Sequence, residues 1–194
     1  CIQMDNQIAL VCKSTWYHLY QISKIRQYIT IDQAKSLVHT NVTSRIDQNN
    51  SLLLGIPKYK LRKIQLVQNA AVRLIMGLKK RDHITPEMRE LHWLPIEQRI
   101  LFKVLVITFK AVHNQGPQYL QDLINVYVPR RSLRIGDEYL LSVPDWHYQD
   151  IKNRAFGIRA PLEWNNLPLG IRKKPTLVSF KSALKTFLFR QAYL

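Results

Sequence analysis

Apolar residues recur every three or four positions along several stretches of the chain, the spacing that gathers side chains on one face of an α-helix. Over residues 7–28 the stripe is ragged, and Ile8, Val11, Tyr20, Ile22 and Ile25 make its expected buried side. Thr30 or Asp32 then offers a side-chain oxygen to cap a second helix. That helix aligns Ala34, Leu37, Val38, Val42 and Ile46, and should end near Gly55, because Pro57 disfavours helix at Ile56. A third helix is expected from Pro57 or Lys58 to about Gly77, with Leu61, Ile64, Val67, Ala71, Leu74 and Ile75 inward. Thr85 and Pro86 suit the cap and first position of a short turn reaching Leu91. Pro95 opens a long helix to about His113, built on Ile96, Ile100, Leu101, Val104, Leu105 and Val112, and Gly116 ends it.

The pattern weakens over 117–150, where Tyr119 to Tyr127 reads as weakly helical and Tyr139 to Val143 alternates as a short strand would. Ala155 to Arg159 could pair with that strand. A final helix spans Thr176 to Gln191, with Leu177, Phe180, Leu184, Phe187 and Leu188 on its apolar stripe. The expected fold is mostly α, a multi-helix bundle with at most a small β-hairpin near the C-terminal third. Residues 1–116 read as a helical domain and 117–194 as a looser region ending in an amphipathic helix.

Composition changes this picture through charge. The 194 residues hold 29 Lys and Arg against 13 Asp and Glu, a formal net charge of +16, while 46% hydrophobic content suits a packed domain. The excess is segregated. Residues 58–81 carry eight basic and no acidic side chains, and 151–194 carry nine basic and one acidic, while 82–150 hold seven basic and nine acidic. A surface kept merely soluble mixes the signs, so two basic blocks around a slightly acidic centre point to a polyanion, either nucleic acid or an acidic membrane surface. The most apolar stretch, Ile100 to Phe109, is interrupted by Lys103 and falls short of a membrane span. No secretory leader is evident, and a start at Cys1 suggests a piece of a longer protein. Cys1 and Cys12 read as reduced thiols, which together with the charge fits a nuclear or cytoplasmic location.

The candidate contacts in the first block are Lys58, Lys60, Arg62, Lys63, Arg73, Lys79, Lys80 and Arg81; in the second they are Arg172, Lys173, Lys174, Lys181 and Lys185. Tyr59 could stack on a base, or be an ordinary amphipathic surface residue, and the latter is the stronger reading. No site for catalysis emerges. The only adjacent acids, Asp137 and Glu138, sit among turn residues, and no phosphate-binding glycine loop, zinc-protease helix or nucleophile elbow occurs. His92 and Trp93 read as a helix-to-helix corner with Trp93 in the core, and Trp164 as a second anchor. Neither a metal nor a cofactor is expected.

A series of strings carries a resemblance. They are Val-Cys-Lys-Ser-Thr-Trp-Tyr-His-Leu at 11–19, Val-Thr-Ser-Arg-Ile-Asp at 42–47, Asn-Ser-Leu-Leu-Leu-Gly at 50–55 and Val-Gln-Asn-Ala-Ala-Val-Arg-Leu at 67–74. Asp-His-Ile-Thr-Pro at 82–86, Leu-His-Trp-Leu-Pro at 91–95 and Phe-Lys-Ser-Ala-Leu-Lys-Thr-Phe-Leu-Phe at 180–189 continue the series. In this order the chain resembles the C-terminal, post-palm region of a LINE-type, non-LTR retrotransposon reverse transcriptase. Gln48 and Asn49 stand where that family usually shows Tyr-Cys, and Leu54 where it usually shows Tyr.

The resemblance implies a thumb-like, nucleic-acid-contacting part of an RNA-directed DNA polymerase. It would grip RNA or DNA through the phosphate backbone, beside an upstream palm domain of the parent polyprotein. The family's metal-binding aspartates and its endonuclease lie upstream of this region, so the chain is not expected to be an enzyme alone. The alternative is a protein-interaction module that docks on an absent partner domain, with the basic residues serving solubility.

Overall fold

The computed structural model describes residues 2–128, 139–145 and 154–194. The chain divides into two compact units, Cys1–Arg99 with Ala192–Leu194, and Ile100–Gln191. The division falls at Arg99, inside a long helix, whereas the sequence suggested residue 116.

In the first unit, α1 spans Ile2–Ile25 and continues as a 3-10 turn, Arg26–Tyr28. Helix α2 spans Ile31–Val38, widens into a π turn at His39–Thr43 and resumes as α3, Ser44–Asp47. Thr30, not Asp32, is the cap: its hydroxyl accepts from the Gln33 N–H, and the Gln33 side chain accepts from the Thr30 N–H. The π turn has a reason in the sequence. Ala34, Val38, Val42 and Ile46 are all buried and all four residues apart. On a regular α-helix that spacing drifts about 40° per step, and one wider turn brings the row back towards a single line. Asn49, in the left-handed region at φ 57°, ends this segment before a 3-10 turn at Asn50–Leu53.

Helix α4, Lys58–Met76, buries Leu61, Ile64, Val67, Ala71, Val72 and Ile75 and stops at Gly77, whose φ of 70° suits glycine. Gln68 is buried with them, and its amide donates to the Leu94 carbonyl at 2.9 Å. Helix α1 packs along α4 in the same direction: Lys60 Nζ lies 2.8 Å from the Asp5 carboxylate near their starts. Near their ends, Arg26 donates to the Leu74 and Ile75 carbonyls at 2.9 and 2.8 Å. The buried line of α1 is Ile8, Thr15, Leu19 and Ile22, so two expected core residues are corrected: Tyr20 and Ile25 are exposed. Helix α5 runs Thr85–Glu90 with Ile84, not Thr85, at the cap position. Helix α6, Ile96–Val112, follows Pro95 as expected and crosses the division between the units. His92 takes a positive φ of 51° at the corner, and Trp93 is half-buried there, not a core filler.

The second unit contains most of α6, a short α7 (Gln118–Gln121), α8 (Phe156–Asn165), α9 (Leu169–Arg172) and most of α10 (Leu177–Tyr193). Its centre is aromatic. Trp164 and Phe180 are fully buried with ring centres 5.6 Å apart, and Phe109 stacks on Phe180 at 4.5 Å.

The expected β-hairpin does not form. Among the described residues there is no strand, only an isolated antiparallel bridge between Val126 and Leu141, and Ala155–Arg159 caps and opens α8. The cause is a side chain that replaces a partner strand. Asn165 accepts from the Leu141 N–H and donates to the Leu141 carbonyl, both at 2.9 Å, while Trp164 Nε1 donates to the Tyr139 carbonyl at 2.7 Å. Those backbone groups are thereby satisfied without a ladder.

Candidate nucleic-acid interface

Burial of one side of α4 turns other side chains outward, and three of these are cationic, beside Tyr59 and Leu66. Lys58, Arg62 and Lys63 are exposed, and Lys79, Lys80 and Arg81 extend the charge into the loop beyond Gly77. No acidic residue occupies the first turn of α4, where the helix dipole favours anions and opposes Lys58 and Lys60. Two acids relieve part of that cost. Glu97 lies 3.3 Å from Lys58, both well exposed, so this pair is worth little. Lys60 is only 17% exposed and pairs with Asp5, whose carboxyl it holds below the usual range chiefly through this hydrogen bond.

The structure therefore sorts the first block. Lys60 is committed to Asp5, and Arg73 is half-buried with its guanidinium donating to the Asp82 carbonyl at 3.2 Å. Asp82 also accepts from the Lys79 N–H at 2.7 Å, which shapes the loop that presents Lys79, Lys80 and Arg81. Arg62 and Lys63 remain outward with no ion pair among the described residues. Tyr59 is 69% exposed with Lys60 Nζ 5.9 Å from its ring centre.

The second block lies in the other unit and is sorted in the same way. Arg172 is corrected: it is buried, and its Nε donates to the Leu167 carbonyl at 3.1 Å, so it serves the fold beneath α9. Lys173 is exposed, with its Nζ 5.7 Å from the centre of the Tyr139 ring, and Lys174 is half-buried. Lys181 and Lys185 stand exposed one turn apart on α10, off the buried Phe180–Leu184–Leu188 stripe. The acidic pair Asp137-Glu138 lies outside the described residues, and no group of three or more His, Cys, Asp or Glu suited to a metal occurs among those described. Among the same residues, no helix is long and apolar enough to cross a membrane.

Two features escaped the sequence. Asp47 receives a two-pronged guanidinium from Arg99, with Nε to Oδ1 at 2.9 Å and Nη2 to Oδ2, and Asn50 adds a bond at 3.2 Å. Nothing in the local pattern of either residue signals a partner 52 positions away. The second is an exposed aromatic face on α1 formed by Trp16, Tyr17 and Tyr20. Its signal was present, since Lys13, Tyr17, Tyr20 and Lys24 follow helical spacing, but aromatic residues at that spacing read by default as core. An apolar cleft of about 280 Å³ also opens in this unit, lined by residues that include Met4, Ile8, Val11, Leu52 and Ile64.

No protein-family model, curated protein or solved structure matches the chain.

Proposed function

We propose that this chain is a nucleic-acid-contacting portion of a LINE-type reverse transcriptase, without catalytic activity of its own, that holds template or product by the sugar–phosphate backbone. The resemblance of its ordered strings to the post-palm region of that family supports the reading. The observation that carries it physically is the outer face of α4 and its following loop, where Arg62, Lys63, Lys79, Lys80 and Arg81 are exposed cations. Cations spaced along a helix neutralise successive phosphates and release condensed counterions, so binding is sequence-nonspecific and falls steeply with salt.

Binding of a labelled RNA–DNA hybrid, measured from roughly 50 to 200 mM salt, tests this reading. Log affinity should fall linearly with log salt. Changing Arg62, Lys63, Lys79 and Lys80 to Gln should flatten the slope by roughly one unit for each phosphate that is no longer neutralised. An unchanged slope in that variant rejects the proposal.

A second reading, docking on a separate protein domain, draws on the apolar cleft, where Leu52 stands 59% exposed at the rim. A separately produced upstream domain that binds the wild-type chain but not Leu52→Asp would favour it.

A further inference from the structure

Helix α1 buries Ile8, Thr15, Leu19 and Ile22, so positions 13, 17, 20 and 24 fall on the opposite side of the helix. Those positions are Lys13, Tyr17, Tyr20 and Lys24, all exposed, and Trp16 flanks them at 47% exposure. Both tyrosines are 60% exposed, and Lys24 Nζ sits 4.5 Å from the centre of the Tyr20 ring. No acidic residue lies in α1 after Asp5.

The edge of this face meets the cationic helix. Lys63 of α4 is near enough to Asp5 to help hold its carboxyl low, and near enough to Cys12 to offset part of the rise that burial gives the thiol. Trp16 is one helical turn beyond Cys12 on the same side of α1. The Lys63 ammonium of α4 thus lies towards the Cys12 side of α1, the side that Trp16 borders.

We propose that this edge is a binding surface for single-stranded nucleic acid, with bases stacked on Trp16, Tyr17 and Tyr20 and phosphates held by Lys13, Lys24 and Lys63. The inference rests on the nucleic-acid reading above and goes beyond it, because it assigns a second mode of contact and a preference for unpaired strands. The charge selects the occupant. The charged groups among the rings, Lys13 and Lys24, are cationic, and Asp5, beside Lys63, is already paired with Lys60; rings between cations are the arrangement that takes π-faces and phosphates together. The rings are Tyr and Trp, each with a polar atom at its outer edge. An interfacial membrane helix would instead carry a deep aliphatic stripe, whereas among the described residues the large aliphatic side chains exposed on α1 are Leu10 and Ile25, 15 positions apart.

The full chain is tested against a single-stranded RNA oligonucleotide, against an RNA–DNA hybrid and against anionic phospholipid vesicles. Changing Trp16, Tyr17 and Tyr20 to Ala should weaken single-strand binding by roughly tenfold or more per stacked base, with an unchanged salt slope. The matching change to Phe keeps the rings and should retain most of the affinity, which separates stacking from misfolding. The hybrid, whose bases are already stacked, should lose little in the alanine variant. Single-strand binding that survives the alanine change overturns the inference while leaving the salt-dependent phosphate reading intact. Equal losses in the alanine and phenylalanine variants, or an effect confined to vesicles, also overturn it. A wild-type chain that binds neither nucleic acid overturns both.

Discussion

At the scale of single residues, the polar atoms that matter most are those that bond backbone. Asn165 holds both backbone groups of Leu141, and removing it leaves a donor and an acceptor without those partners. Asn165→Ala should destabilise the chain by about 1–3 kcal/mol in urea unfolding. Tyr193 donates its hydroxyl to the Trp93 carbonyl at 2.6 Å, and burial pushes its pKa from 10.0 up to about 12 against the opposing pull of Arg99. The folded state therefore keeps a proton that the unfolded chain gives up. Stability from this group is present in full below pH 10 and is lost as the pH rises from 10 towards about 12. Melting temperatures across that window should fall more steeply for the wild-type chain than for Tyr193→Phe; parallel curves would refute the assignment. None of this was visible in the sequence, where Asn165 and Tyr193 have no pattern that names their partners.

Helices were more legible, because their signals are local. Thr30 and Gln33 form the reciprocal cap, Pro57 precedes α4 and Gly77 ends it. Thr30→Ala should cost about 1 kcal/mol of stability. The C-terminal end of α4 has a less obvious support in Arg26. Its guanidinium bonds two of the last carbonyls and brings positive charge to the negative end of the dipole. Arg26→Met retains the aliphatic stem and removes the bonds, so thermal or urea unfolding should show a loss of about 2 kcal/mol. The buried sides of helices were read less well than their limits. Tyr20 and Ile25 fit a stripe on paper but lie outside it, whereas Thr15 and Leu19 lie within. A 24-residue helix has room for two apolar stripes of comparable quality, and only the position of α4 decides between them.

For the molecule as a whole, the surplus of +16 is the leading fact, and it is unequally used. Some of the cations neutralise acids or bond carbonyls inside their own unit, as Lys60, Arg73 and Arg172 do. Others remain outward on α4, its following loop and α10. If the outward set holds a strand for chemistry performed elsewhere, primer extension with this chain and Mg²⁺ alone should incorporate no nucleotide. Incorporation would overturn the catalytically silent reading. Lys181→Gln with Lys185→Gln should weaken hybrid binding equally for all sequences, with no change in the circular dichroism of the helices, since neither side chain is buried.

The helical character, the limits of α4, α5, α6 and α10 and the segregation of charge into two blocks follow from the order of residues without any knowledge of the fold. Each is set by neighbours within one or two turns: apolar spacing, caps, and the left-handed freedom of Gly77. Folding alone settled which cations stay exposed, which rings face outward, and that an asparagine replaces a strand. These outcomes depend on partners brought together from a distance, such as Asp5 and Lys60, 55 positions apart, or Leu141 and Asn165, 24 apart. Packing chooses such partners, and no periodicity within either segment encodes the choice.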